Sequence, residues 1–286
     1  MGCSGRDFNP FDLEDVPVIP EIDDSMKARL RRVHVFGLRK GVRPKVFSFV
    51  GDSITAWPGF MDELATDRVD YGEYSWLAGQ VSAYQDVEVR TVEGVVYSPL
   101  TVESLSVLSG WRVTDVLDPG TRFWDPLCGL GETPLECELR NSRPAVMLVM
   151  IGTSDVMHTP IDEYKRHMDT VVERILAYGS IPVLSSLPPN LTDTEHTEAV
   201  LEYNRVLLQV ADKHQIPMWN YWRALRDLPN QGMSADGLHP STGSSDNGTA
   251  VFTAEGLQYG FNVRNLTALQ VLDKVYSIVV SDAFQD

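Results

Sequence analysis

Uninterrupted apolar runs alternate with stretches in which apolar residues recur every three or four positions. Val46-Phe47-Ser48-Phe49-Val50 stops at Gly51, and the seven apolar residues of 145–151 stop at Gly152. Runs of this kind suit strands of a parallel sheet covered on both faces. Further strands are expected at 87–92, ending at Glu93-Gly94; at 181–187, halted by Pro188-Pro189; and, shorter, at 216–221. Ile161, Tyr164, Met168, Val171, Val172 and Ile175 make one apolar helical face that ends at Gly179. Helices are also expected at 99–109, at 198–211 and at 264–280, the last lined by Leu266, Leu269, Leu272 and Val275. Alternation of strand and helix predicts an α/β fold with a mainly parallel sheet between helices, joined by right-handed crossovers.

Residues 1–44 carry Pro10, Pro17 and Pro20 among many acids, then a basic stretch. They read as an N-terminal extension or tether with one short helix at 24–32, leaving 45–286 as the domain. Within that domain, 110–144 and 230–262 read as loop excursions without clear periodicity.

The formal net charge of −16 argues against a nucleic-acid partner, because phosphate binding needs clustered Lys and Arg. No apolar run reaches the length of a transmembrane span. Cys3, followed by small polar residues, resembles the start of a mature bacterial lipoprotein, which would put a lipid anchor there and the protein outside the cell or at its surface. The alternative is a free cytoplasmic N-terminus. Cys128 and Cys137 flank a turn-rich loop with no third Cys or His at metal-ligand spacing, so no metal site is expected. A disulfide closing this loop fits an oxidising compartment; two reduced surface thiols are the other reading.

The strand ends carry the candidate chemistry. Ser53 stands just past Gly51, where open α/β sheets place their active sites, and the bland alternative is a helix-capping serine. A serine hydroxyl needs a base to take its proton, usually an imidazole held by a carboxylate. Asp236 and His239 lie three residues apart, within reach of each other in a tight turn. The amides of Ser53 and Gly94 are candidates for an oxyanion hole. Asp52 and Asp155 suit loop bracing rather than chemistry. His34, His158, His167, His196 and His214 show no ligand spacing and read as structural or solvated. Asn190, Asn247 and Asn265 head glycosylation triplets.

Gly51-Asp52-Ser53, Gly94, Gly152-Thr153-Ser154-Asp155 and Asp236-Gly237-Leu238-His239 resemble, in order, the motif blocks of the SGNH (GDSL-type) hydrolases. The resemblance spans roughly 46–240. It implies a flavodoxin-like three-layer α/β/α sandwich and ester hydrolysis through an acyl-enzyme on Ser53, with no cofactor or metal. His239 would be general base and then general acid, with Asp236 orienting it. The family's third block normally carries Asn where this chain has Ser154, and the Asn amide donates to the oxyanion; a serine hydroxyl reaches less far. An active but slow esterase is therefore expected, acting on a small-molecule or glycan ester. Lipase or lysophospholipase-like action on lipid esters, and a non-catalytic carbohydrate-binding relative, are the alternatives.

Overall fold

The computed structural model describes residues 9, 11–122, 125–243 and 248–280. In chain order the elements are α1 (Asp24–Arg39), β1 (Arg43–Gly51), α2 (Ala78–Gln85), β2 (Arg90–Val92), β3 (Val95–Tyr97), α3 (Val113–Leu117), α4 (Pro134–Ser142), β4 (Pro144–Met150), α5 (Asp155–His158), α6 (Ile161–Tyr178), β5 (Ile181–Ser185), α7 (Thr194–His214), β6 (Met218–Trp219), α8 (Tyr221–Leu225) and α9 (Gly260–Val275). Strands β1, β4, β5 and β6 form one sheet in the order β1-β4-β5-β6, every pair parallel. The apolar run of β4 is buried along its whole length, as a central strand covered on both sides must be. Helices α3, α4, α6 and α7 pack as one group, while α8 packs on α9, and α1 and α9 both contact the turn Tyr276–Val280. The architecture is the α/β sandwich with a mainly parallel sheet that the alternating pattern predicts. Among the described residues, no helix is long and apolar enough to cross a membrane.

Four expectations need correction. The strand expected at 87–92 contributes only β2, which pairs antiparallel with β3 in a separate two-stranded sheet. Glu93 and Gly94 take φ of 50° and 83°, the double positive φ of a two-residue hairpin turn, so the chain reverses instead of crossing over. The helix expected at 99–109 is absent. Both Ser104 and Ser106 turn their hydroxyls onto the Phe49 carbonyl, at 2.7 Å each, and the Leu105 amide is taken by Glu138 at 2.8 Å. Serine hydroxyls competing for backbone partners in this way favour non-helical chain.

The excursion at 110–144 contains α3 and α4. Helix α4 opens on a capping box: the Thr133 hydroxyl accepts from the Glu136 amide, while the Glu136 carboxylate accepts from the Thr133 amide at 3.0 Å. Cys128 and Cys137 are joined by a disulfide, which ties the loop before α4 to the helix itself.

The described part of the expected tether is instead bound to the domain. Helix α1 runs to Arg39, seven residues beyond the expected end, and buries Leu30 and His34. Upstream of it, Asn220 donates to the carbonyls of Leu13 and Val16 at 2.8 Å each. Cys3 and Asn247 lie outside the described residues. Asn190 and Asn265 are both buried, and Asn265 bridges the Gly59 and Thr249 carbonyls at 2.8 Å each.

Candidate active site

Strand β1 delivers the chain to a tight turn at its carboxyl end. Asp52 is wholly buried there. Its carboxylate accepts from the Ile54 amide at 3.1 Å and, across the gap to β4, from the Thr153 amide at 3.2 Å. Burial pushes this carboxyl above its usual range, against the pull of those bonds. Helix α9 fixes the turn from below. The buried Arg264 donates to the Ile54 carbonyl and, at 2.9 Å, to the Thr55 hydroxyl, with its guanidinium 3.7 Å from the centre of the Phe60 ring. Desolvation lowers the Arg264 pKa to about 10, with the nearby Tyr221 and Asp52 opposing the shift. The turn is thereby fixed from two sides, and Ser53 stands half-buried at its apex.

The structure brings Ser53, His239 and Asp236 together although 186 residues separate the first two. Ser53 Oγ lies 3.0 Å from His239 Nε2, and His239 Nδ1 lies 2.8 Å from Asp236 Oδ2. The other Asp236 oxygen, Oδ1, accepts from the Leu238 and His239 amides at 2.9 Å each and from the Ser234 hydroxyl at 2.7 Å. Desolvation would raise the Asp236 carboxyl, but the bonds from the His239 amide and ring, the Leu238 amide and Ser234 outweigh it and hold it below the ordinary carboxylate range. An ionised carboxylate only accepts. The proton therefore sits on Nδ1, and Nε2 turns a lone pair to the Ser53 hydroxyl.

Asp155 opens α5 beneath the third strand end. It accepts from the Val113 amide at 2.9 Å and the Thr159 hydroxyl at 2.8 Å. Burial raises its pKa to about 6, with those hydrogen bonds opposing the shift. Ser154 caps the same helix, half-buried, and its hydroxyl makes no hydrogen bond among the described residues. The Ser53 and Ser154 positions thus share one rim of the sheet.

Gly94 does not share that rim. It sits exposed at the tip of the β2–β3 hairpin. The chain that runs beside the carboxyl end of β1 is residues 104–109: Val107 makes a parallel bridge to Gly51, the Gly51 amide donates to the Ser106 carbonyl at 3.2 Å, and the Leu108 amide to the Gly51 carbonyl at 3.3 Å. That segment ends at Gly110, which has φ +80° and open space where a Cβ would stand. Gly110, not Gly94, is the glycine next to the nucleophile's strand end. Its signal in the sequence was a glycine following a short Ser/Leu/Val run, masked by the expectation of a helix there. The sequence reading also missed Arg264 and Glu138. Both are buried charges, and nothing in a linear pattern distinguishes them from solvated ones.

Comparison with known proteins agrees with the motif order. The model of the GDSL-like lipase/acylhydrolase family matches residues 49–243. No curated protein matches the chain. Solved structures similar to it include a GDSL-like lipase from Bacteroides thetaiotaomicron VPI-5482, at 16% identity and a TM-score of 0.49, covering 87% of this chain and 99% of that one. An acetylxylan esterase from Geobacillus stearothermophilus is 17% identical with a TM-score of 0.48, over 79% of this chain and 93% of that one. The psychrotrophic esterase EstA from Pseudoalteromonas sp. is 13% identical with a TM-score of 0.48, over 82% and 99% respectively. The family match takes in both Ser53 and the Asp236–His239 turn, and the chain belongs to the GDSL-like lipase/acylhydrolase family.

Proposed function

We propose that the protein is a serine esterase that removes small acyl groups, acetyl foremost, from carbohydrate. The observation that carries this reading is the unbroken chain of contacts from Ser53 Oγ to His239 to Asp236. In acylation, Ser53 Oγ bonds to the ester carbonyl carbon as His239 Nε2 takes its proton. Negative charge gathers on the carbonyl oxygen, facing the amides of Ser53 and Gly110 and the hydroxyl of Ser154. The carbon–oxygen bond to the leaving group then breaks, and the imidazolium returns its proton to the departing alkoxide, which leaves as an alcohol. Water repeats the sequence on the acyl-enzyme, releasing the acid and restoring Ser53. Asp236 stabilises the imidazolium and keeps the ring in the working tautomer. Asp52 and Asp155 brace the rim.

Trp57, whose ring lies 6.4 Å from that of His239, lines a groove of about 380 Å³ between residues 55–62 and 100–109. Thr101, Glu103 and Ser109 line it alongside Trp57 and Leu108. Phe60, Leu100 and Val107 line it as well, so the groove joins apolar faces to hydroxyls and carboxylates, a mixture that suits a hydroxylated ring. We further place the protein in an oxidising compartment, a reading the Cys128–Cys137 pair supports.

Hydrolysis of p-nitrophenyl esters of increasing acyl length tests the reading. Turnover is expected to be highest on acetate, to fall with chain length, and to drop by roughly 10³-fold or more in Ser53→Ala. Equal rates for wild type and Ser53→Ala would overturn it, and a preference for long acyl chains would replace the carbohydrate ester with a lipid one.

A further inference from the structure

Trp57 is a large aromatic left 42% exposed beside the reacting groups. It does not hang loose. Its ring stacks on the fully buried Phe261, with centroids 5.7 Å apart and planes 26° apart. Phe261 is tied in turn to the loop that carries His239, its amide donating to the Ser241 carbonyl at 3.0 Å. Pro58 follows at once, and the Phe60 amide closes a turn onto the Trp57 carbonyl at 3.1 Å. The outer part of the indole is thus a rigid, exposed apolar plane. It lies alongside the His239 imidazole, centroids 6.4 Å apart and planes 36° apart.

The chemistry decides what meets that plane. The imidazolium gives its proton to the leaving oxygen, so whatever that oxygen is attached to must lie against His239. A group so placed is beside Trp57. The indole also forms a wall of the groove that holds Asp62, Thr101 and Ser109. Asp62 Oδ1 is occupied by the Gly59 and Glu63 amides, at 2.6 and 2.9 Å. Its Oδ2 makes no hydrogen bond among the described residues, and Asp62 is one of the residues that line the groove. An apolar plane in one groove with polar side chains fits a ligand with an apolar face and a hydroxylated rim, which is the form of a pyranose ring. The groove's volume lies in the roughly 300–1,000 Å³ range of small-molecule clefts.

We propose that Trp57 is the platform of the leaving-group subsite: the sugar ring that carries the ester stacks on its indole while His239 protonates the departing oxygen. This rests on the carbohydrate-ester reading above and adds the residue that selects for it. Trp57 is a specificity-determining residue here and takes no part in proton transfer.

The experiment compares two acetates that form the same acetyl-enzyme, xylose tetraacetate and ethyl acetate, on wild type, Trp57→Ala and Trp57→Phe. The ratio of kcat/KM for the sugar acetate to that for ethyl acetate is expected to fall roughly tenfold in Trp57→Ala, through KM. Trp57→Phe, which keeps an aromatic face, is expected to hold most of the ratio. A ratio unchanged in Trp57→Ala would overturn the proposal: both rates falling together would show that Trp57 only supports the His239 loop, and neither falling that it has no part in turnover. Failure of the underlying reading looks different: the wild type itself would turn over ethyl acetate and not the sugar acetate.

Discussion

Gly94 and Gly110 share a backbone conformation, with φ of 83° and 80°, and both have open space where a Cβ would stand. They differ in position. One is the tip of an exposed hairpin; the other ends the segment bridged to Gly51. Alanine at either site forces a left-handed backbone, costing about 1–2 kcal/mol of stability, which urea unfolding would read. Only Gly110→Ala is expected to slow the chemistry, by roughly 10–10²-fold in kcat on p-nitrophenyl acetate, because its amide would then be displaced from the oxyanion. A loss of kcat in Gly94→Ala with none in Gly110→Ala would reverse the assignment. The pair shows how far single residues could be read. Ser53, Asp236 and His239 stood out because their short polar blocks fall in the order of a known family's motifs, with Asp236 and His239 three residues apart. The glycine was not, because its identity depends on which strand end lies beside β1, and pairing between strands leaves little trace in either strand's own pattern.

At the scale of elements, the stretch beside β1 is held by a buried carboxylate rather than by a ladder. Glu138, on α4, is fully buried and accepts from the Leu105 amide and from the Ser48 and Ser142 hydroxyls, with Arg90 3.5 Å away. It joins the helix, the central sheet and the segment leading to Gly110. Replacing it with Leu strands those donors, and is expected to cost about 3–5 kcal/mol of stability. Urea midpoints would show this, and a shift below 1 kcal/mol would contradict it. Strands β1 and β4 were read correctly because each is an apolar run that stops at a glycine, and the face of α6 because its apolar positions repeat one period over about five turns. Short helices such as α3 and α4, of five and nine residues, were missed, although Thr133 and Glu136 carry the capping-box spacing that marks a helix start. The absent helix at 99–109 failed for a different reason. Its serines bond to the Phe49 carbonyl, a tertiary partner that no local propensity contains.

Over the whole molecule, the order β1-β4-β5-β6 places the first strand's nucleophile on the same edge as the third block. A late loop returns from residue 230 onwards to bring its imidazole over the nucleophile. The alternation of elements predicted the layers, but the docking of residues 13–18 against Asn220 was not visible, because proline-rich acidic chain looks the same whether it is bound or free. The Cys128–Cys137 bond closes a loop of 9 residues' separation and is expected to contribute about 2–3 kcal/mol, seen as a lower urea midpoint under reductant; an unchanged midpoint would remove that contribution. The central claim is that Ser53 is the nucleophile activated by His239. A fluorophosphonate label followed by peptide mapping tests it most directly. The account predicts one phosphonyl adduct, on the peptide containing Ser53, abolished in Ser53→Ala and strongly slowed in His239→Ala. An adduct on another serine, or one formed equally fast in His239→Ala, would contradict it.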